Sequence, residues 1–170
     1  MYHIPDDERA KRSAEKIYQS LRHILFKKKL DEISITDIQK ECGISRSTFY
    51  RLFDTTLDVL AMKLTFFIDE YYQIYAKSQN ELLAFYTYWD KHSTLIYLLS
   101  TQAEFIIKDV LKQKIKHNSV YDEYYIEVQA ATLSALLCKW VERGKKETPQ
   151  EMSQISKNIL SNPQKLLTIF

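Results

Sequence analysis

Residues 45–53 read Ser-Arg-Ser-Thr-Phe-Tyr-Arg-Leu-Phe. In a helix Phe49 and Phe53 stand one turn apart and share a face, which leaves Arg46, Ser47, Tyr50 and Arg51 pointing outward. That outward set can do recognition chemistry on a nucleic-acid duplex. An arginine can donate two hydrogen bonds to guanine O6 and N7, and a serine can donate to or accept from several bases. Tyr50 can reach a phosphate with its hydroxyl or lay its ring on a thymine methyl. Upstream, Ser34 and Thr36 can hold a phosphate through hydroxyls and the free backbone N–H groups of a helix start. An inert surface helix more often carries Glu/Lys pairs. Caps and an apolar stripe occur in any helical protein, so spacing alone leaves a plain bundle open.

The elements that must position these residues are legible from punctuation. A first helix is predicted from after Pro5 to about Lys29, with Ala14, Ile17, Leu21, Ile24 and Leu25 as its apolar stripe. Ser34 and Asp37 form a capping box for a short second helix, which Gly43 ends. Ser45 caps a third, from Arg46 to about Phe53. Ile38, Ile44, Phe49 and Phe53 pack the second and third helices together. Thr55 and Asp58 open a long fourth helix striped by Leu57, Leu60, Leu64, Phe67, Ile68, Tyr71 and Tyr75. Further helices are predicted near 80–91, 94–101, 103–117 and 121–143. Ser119 and Asp122 cap the last of these and Gly144 ends it. Thr148-Pro149 then opens a final helix with Glu151 at its third position.

Composition agrees with an all-α chain of about nine helices. Among 170 residues there are two glycines and three prolines, too few for the turns of sandwiches, barrels or α/β units. Two domains are expected, residues 1–54 and 55–170. Residues 1–53 carry eleven Lys/Arg against eight Asp/Glu, and the remainder carries thirteen against fourteen. The slight basic excess lies at the end that holds the polar edge. Cys42 and Cys138 lack metal-site spacing and read as free thiols. No apolar run approaches the roughly 18 residues of a membrane span, and the charged N-terminus lacks a signal-peptide core. A soluble, cytoplasmic protein with no membrane association is expected.

The stretch Ile35-Thr-Asp-Ile38, Cys42-Gly-Ile-Ser-Arg-Ser-Thr-Phe-Tyr-Arg-Leu-Phe53 and Leu57-Asp-Val-Leu60 resembles the DNA-binding head of the tetracycline-repressor (TetR) family over roughly residues 8–60. Trp140-Val-Glu-Arg-Gly144 with Thr148-Pro149-Gln-Glu-Met152 resembles the end of many members. The resemblance implies a homodimer of helical subunits whose two helix-turn-helix heads read a near-palindrome in double-stranded DNA. It places base contacts on Arg46, Ser47 and Thr48 and phosphate contacts on Ser34, Thr36 and Tyr50. The chain departs from the pattern at Thr56, where members usually carry Lys, and at Leu52, where many carry His. Both departures remove a backbone anchor. Arg51, or Arg9, Lys11, Arg12 and Lys16 at the start of the first helix, can replace it.

In residues 121–143, Ala131, Ser134, Ala135 and Cys138 make a stripe of small side chains beside a wide apolar face. Such a stripe lets helix axes approach closely, and with Met152, Ile155 and Ile159 it can build a four-helix dimer interface. The residues alone leave packing within one chain equally open, and the resemblance favours dimerisation. The central region is rich in aromatics, of which Tyr71, Phe85, Trp89 and Tyr97 are the candidates to line a pocket for a small apolar effector. Plain core packing is the other reading of those rings.

Catalysis finds little support. His3, His23, His92 and His117 are scattered, and no phosphate loop, nucleophile elbow or Cys/His cluster is present in the sequence. No metal or cofactor is expected. The reading that follows is a transcriptional regulator, a repressor by operator occupancy. Its rivals are a helical protein–protein adaptor, or a ligand-binding protein, that keeps the head fold without binding an operator.

Overall fold

The computed structural model describes residues 1–118 and 123–162. Those residues form α1 (Glu8–Leu25), a short 3-10 turn (Leu30–Glu32), α2 (Ile35–Cys42), α3 (Arg46–Leu52), α4 (Thr56–Tyr75), α5 (Glu81–Lys91), α6 (Ser93–Gln102), α7 (Glu104–Asn118), α8 (Glu123–Glu142) and α9 (Pro149–Ser161). No sheet forms among them; an isolated antiparallel bridge joins Tyr2 to Phe53. No described helix is long and apolar enough to cross a membrane. The capping pair expected at Ser119 and Asp122 lies outside the described residues.

Two compact units result, Met1–Phe66 and Phe67–Phe170. The sequence placed a boundary at 54/55, ahead of α4, whereas the units divide inside that helix. Its residues 56–66 supply Val59, Leu60 and Leu64 to the first unit's core, because the capped start of α4 continues the apolar face of the head.

The first unit is built on α1, whose Ala10, Ala14, Ile17, Leu21, Ile24 and Leu25 are buried. Asp7 starts the helix, its carboxylate accepting from the Ala10 N–H at 2.7 Å. The helix stops at Leu25 rather than Lys29. Phe26 and the lysines 27–29 are exposed, so nothing apolar rewards continuing. Ile38 of α2 and Phe49 and Leu52 of α3, with Phe53 just beyond, complete this core.

In the second unit Trp89, Tyr86, Leu95, Ile96, Leu99, Leu137 and Trp140 are buried. The Tyr86 and Trp140 rings meet edge to face at 5.4 Å, an arrangement that suits their quadrupoles. The Tyr86 hydroxyl lies 2.6 Å from that of Ser156 on α9. After α8 the chain reverses through Gly144 (φ 76°) and Lys145 (φ 54°). The Lys145 N–H donates to the Trp140 carbonyl at 2.9 Å and that of Gly144 to Val141 at 3.0 Å. This pattern satisfies the helix's last carbonyls. A lysine in the left-handed region is strained, and here it is held by its ammonium, which donates to the Asp90 carbonyl at 2.7 Å and carboxylate at 2.8 Å.

Candidate nucleic-acid interface

The interface begins with two capped starts. The Ser34 hydroxyl accepts from the Asp37 N–H at 3.2 Å, and the Asp37 carboxylate accepts from the Ser34 N–H at 2.9 Å and its hydroxyl at 2.7 Å. Lys28 adds an ion pair at 3.1 Å. Hydrogen bonds from Ser34 chiefly, then Lys28, hold the Asp37 carboxyl at about 2, below its ordinary value. The reciprocal bonds satisfy N–H groups that a helix start leaves open. Ser34 and Thr36 are both exposed.

Gly43 then turns the chain with φ 69°, a conformation a residue with a Cβ resists. Ser45 caps α3, accepting from the Thr48 N–H at 3.2 Å. The same hydroxyl lies 2.9 Å from those of Ser47 and Thr48. A seven-residue helix is marginal alone, so its apolar side must hold it. Phe49 and Leu52 do this, fully buried.

The opposite side stays open. Arg46, Ser47, Tyr50 and Arg51 are exposed, with Tyr50 at 47%. Arg46 lies along Tyr50, its guanidinium carbon 5.6 Å from the ring centroid and Nη2 3.5 Å from the phenol oxygen. Phe49 braces the Tyr50 ring edge to face at 5.7 Å. Thr48 is half-buried and its hydroxyl is turned to Ser45, so it offers less than its neighbours.

Two braces have no local pattern in the sequence. His23 of α1 meets Glu41 of α2, Nδ1 to Oε1, at 2.5 Å. Residues 1–3 lie along the end of α3. The His3 N–H donates to the Leu52 carbonyl at 2.8 Å, and the Asp54 N–H to the Met1 carbonyl at 3.2 Å. The Leu52 carbonyl is one that a helix end leaves open. Pairing across fifty residues has no sequence signature to find.

In the second unit the structure separates residues grouped by sequence. Ser134 and Cys138 share the buried face of α8 with Ala130, Leu137 and Val141, and Met152 is buried on α9. Burial pushes the Cys138 thiol up to about 12. These three therefore pack within the subunit and offer no surface to a second copy. Ala135 and Ile155 are exposed, Ala131 and Ile159 half-buried, and Val128 is 63% exposed on the same helix. The correction is one of helical phase. A stripe at 131, 134, 135 and 138 straddles the edge between the two faces.

Tyr71, Phe85 and Trp89 come together, with ring centroids 5.9 Å apart for Tyr71–Phe85 and 6.2 Å for Phe85–Trp89. Tyr88 and His92 extend the group, stacked at 4.4 Å. Burial, and then the Glu70 carboxylate 2.6 Å away, raise the Tyr88 phenol. Tyr97 is 50% exposed and makes none of the described ring contacts, because Ile96 and Leu98–Leu99 take the inner face of α6. It is not part of the cluster.

The TetR_C_8 family, described as "Transcriptional regulator C-terminal region", matches residues 63–162. No curated protein matches at a significant level. A solved structure of the dihydroxyacetone kinase operon activator DhaS matches with a TM-score of 0.51 at 18% identity, over 93% of this chain and 97% of that one. That likeness is one of fold. The family match spans more than half of the chain, and the capped helix-turn-helix stands in front of it. This chain belongs to the TetR-type transcriptional regulators.

Proposed function

We propose that this chain is a sequence-specific DNA-binding regulator that works as a homodimer, repressing by occupying a near-palindromic operator. The observation that carries the reading is α3. Its apolar side is locked into the core while Arg46, Ser47 and Tyr50 stand exposed from a capped N-terminus. A helix of that kind fits the major groove with its first residues against base edges. Arg46 reads a guanine and Ser47 a neighbouring base, with Thr48 contributing through its methyl. Ser34, Thr36, Tyr50 and Arg51 fix the register on phosphates. Repression needs nothing beyond occupancy, and the family relation supports regulation rather than catalysis.

Dimerisation would use the open side of α8 and α9. Ala131 and Ala135 allow close approach, and Ile155 and Ile159 supply apolar area. A small apolar effector would seat among Tyr71, Phe85 and Trp89 and act by favouring a subunit arrangement that no longer matches the operator.

The direct test is duplex binding against ionic strength. Binding that weakens steeply with salt, by a slope near 0.9 per phosphate neutralised, supports the reading. Absence of duplex binding at low salt would leave the adaptor reading in its place.

A further inference from the structure

We propose that residues 1–3 are a positioning strap for the recognition helix: paired antiparallel to residues 52–54, they hold the far end of α3 to the start of α4 in the orientation that reads base edges. The inference rests on the DNA-reading role of α3 and concerns residues that act through that helix.

The need for a strap follows from the length and the exit of α3. Seven residues make a helix too short to hold itself. Ser45 fixes its start, and Phe49 and Leu52 fix which side faces the core. At its exit only residues 53–55 separate it from α4. Phe53 is extended there, with φ −143° and ψ 137°, and no turn closes the helix. The Phe53 N–H is used by the Phe49 carbonyl at 2.9 Å. The Leu52 carbonyl and the Asp54 N–H, on either side of Phe53, find their partners in the strap. The His3 N–H donates to the first at 2.8 Å, and the Met1 carbonyl accepts from the second at 3.2 Å.

The two bonds flank the bridge between Tyr2 and Phe53. Directly opposed antiparallel residues put their side chains on one face of the pair. Phe53 is fully buried, so Tyr2, half-buried, is turned to the same side. The start of α4 is fixed independently, by the Thr55 and Asp58 cap and by buried Val59 and Leu60. One strap bond therefore holds the end of α3, and the other holds the residue ahead of the α4 cap. A swing of α3 about Phe53 strains both. From Leu52 back to Arg46 the helix rises about 9 Å. On that arm a swing of about 10° carries Arg46 roughly 1.5 Å, beyond what a hydrogen bond to a base edge tolerates.

The strap is itself anchored. Ile4 precedes Pro5, which favours extended backbone at Ile4, and Asp7 caps α1 with its 2.7 Å bond to the Ala10 N–H. The pairing with residues 52 and 54 runs through main-chain groups, and the His3 side chain is exposed. The identity of residue 3 should not matter, provided that it has an N–H to give.

The test compares full-length wild type with H3P, which removes that donor, and with H3A, which keeps it. Affinity is measured for a selected duplex and for a scrambled one, alongside the thermal midpoint and amide exchange. H3P should bind the selected duplex about three- to tenfold more weakly, the reach of one lost hydrogen bond acting on the population of the reading orientation. Its binding to the scrambled duplex should stay within twofold of wild type, because phosphate contacts carry no sequence information. The preference between duplexes therefore falls, which a loss of folded protein cannot produce, since that weakens both alike. Exchange should rise in α3 and at Phe53 and Asp54, with α1 keeping its protection. H3A should match wild type throughout. An unchanged preference in H3P overturns the inference, as does an equal loss on both duplexes, or a loss in H3A as large as that in H3P. A wild type that does not distinguish the duplexes removes the base-reading role first, a failure visible before any substitution is made.

Discussion

Arg46 lies over Tyr50, one turn further along α3, with its guanidinium carbon 5.6 Å from the ring centroid. A long flexible cation is thereby partly ordered before any ligand arrives, and ordering it in advance lowers the entropic cost of binding. In the proposed binding mode the guanidinium, on the first residue of the helix, would meet base edges, with the phenol a turn behind.

Arg46→Ala is therefore expected to cost roughly 1–3 kcal/mol at the specific site and to relax preference at one base pair. Affinity measured on single-base variants of a bound duplex checks this. An even loss across all variants would remove Arg46 from base reading.

Tyr50→Phe removes only a hydroxyl and should weaken binding to all sequences about equally, as a phosphate contact does. The same duplex panel serves. A loss confined to particular sequences would contradict the assigned role.

The cap of α2 gives a pH prediction. The Asp37 carboxyl is held at about 2 against an ordinary 3.8. A lowered folded value means stabilisation that is fully present above the ordinary value and disappears as pH falls through the folded one. The head should lose this contribution between about pH 4 and pH 2, and Asp37→Asn should lack that part of the acid response. A carboxyl-resolved NMR titration of Asp37 with an ordinary midpoint would show the capping box open in solution. Ser34→Ala, which breaks the cap at neutral pH, should cost about 1 kcal/mol.

On α8 and α9, Ala135→Glu should dissociate a dimer while leaving each subunit folded, because Ala135 is exposed. Cys138→Glu should instead unfold the second unit, since it buries an unpaired charge. Sedimentation with circular dichroism separates the outcomes. A dimer unmoved by Ala135→Glu would place the contact elsewhere.

Inside the second unit, Ser156→Ala leaves the buried Tyr86 hydroxyl without its 2.6 Å partner and should cost about 1–3 kcal/mol. Adding Tyr86→Phe should recover much of that loss in denaturant unfolding, because both polar groups are then gone.

Legibility in the sequence followed locality. Ser34 with Asp37, Gly43, Ser45, Thr55 with Asp58, and Thr148 with Glu151 each act within one turn, and the structure forms every one of these caps and turns. Where the information is not local, the pattern is ambiguous. Both sides of α8 carry small or apolar residues, so only its packing decides that Ser134 and Cys138 turn inward while Ala135 stays out. Tyr97 looked like its aromatic neighbours, yet the phase of Leu95, Ile96, Leu98 and Leu99 sends it outward. The strand-like pairing of Tyr2 with Phe53 depends on a tertiary approach that no pattern near residue 2 announces.

Selection of bound duplexes from a random pool should enrich an inverted repeat whose half-sites lie about one helical turn, roughly 34–36 Å, or a multiple of it apart. The enriched position contacted by Arg46 should be a guanine. A pool that stays random through successive rounds, or that enriches equally well for the Arg46→Ala protein, would overturn base reading by α3.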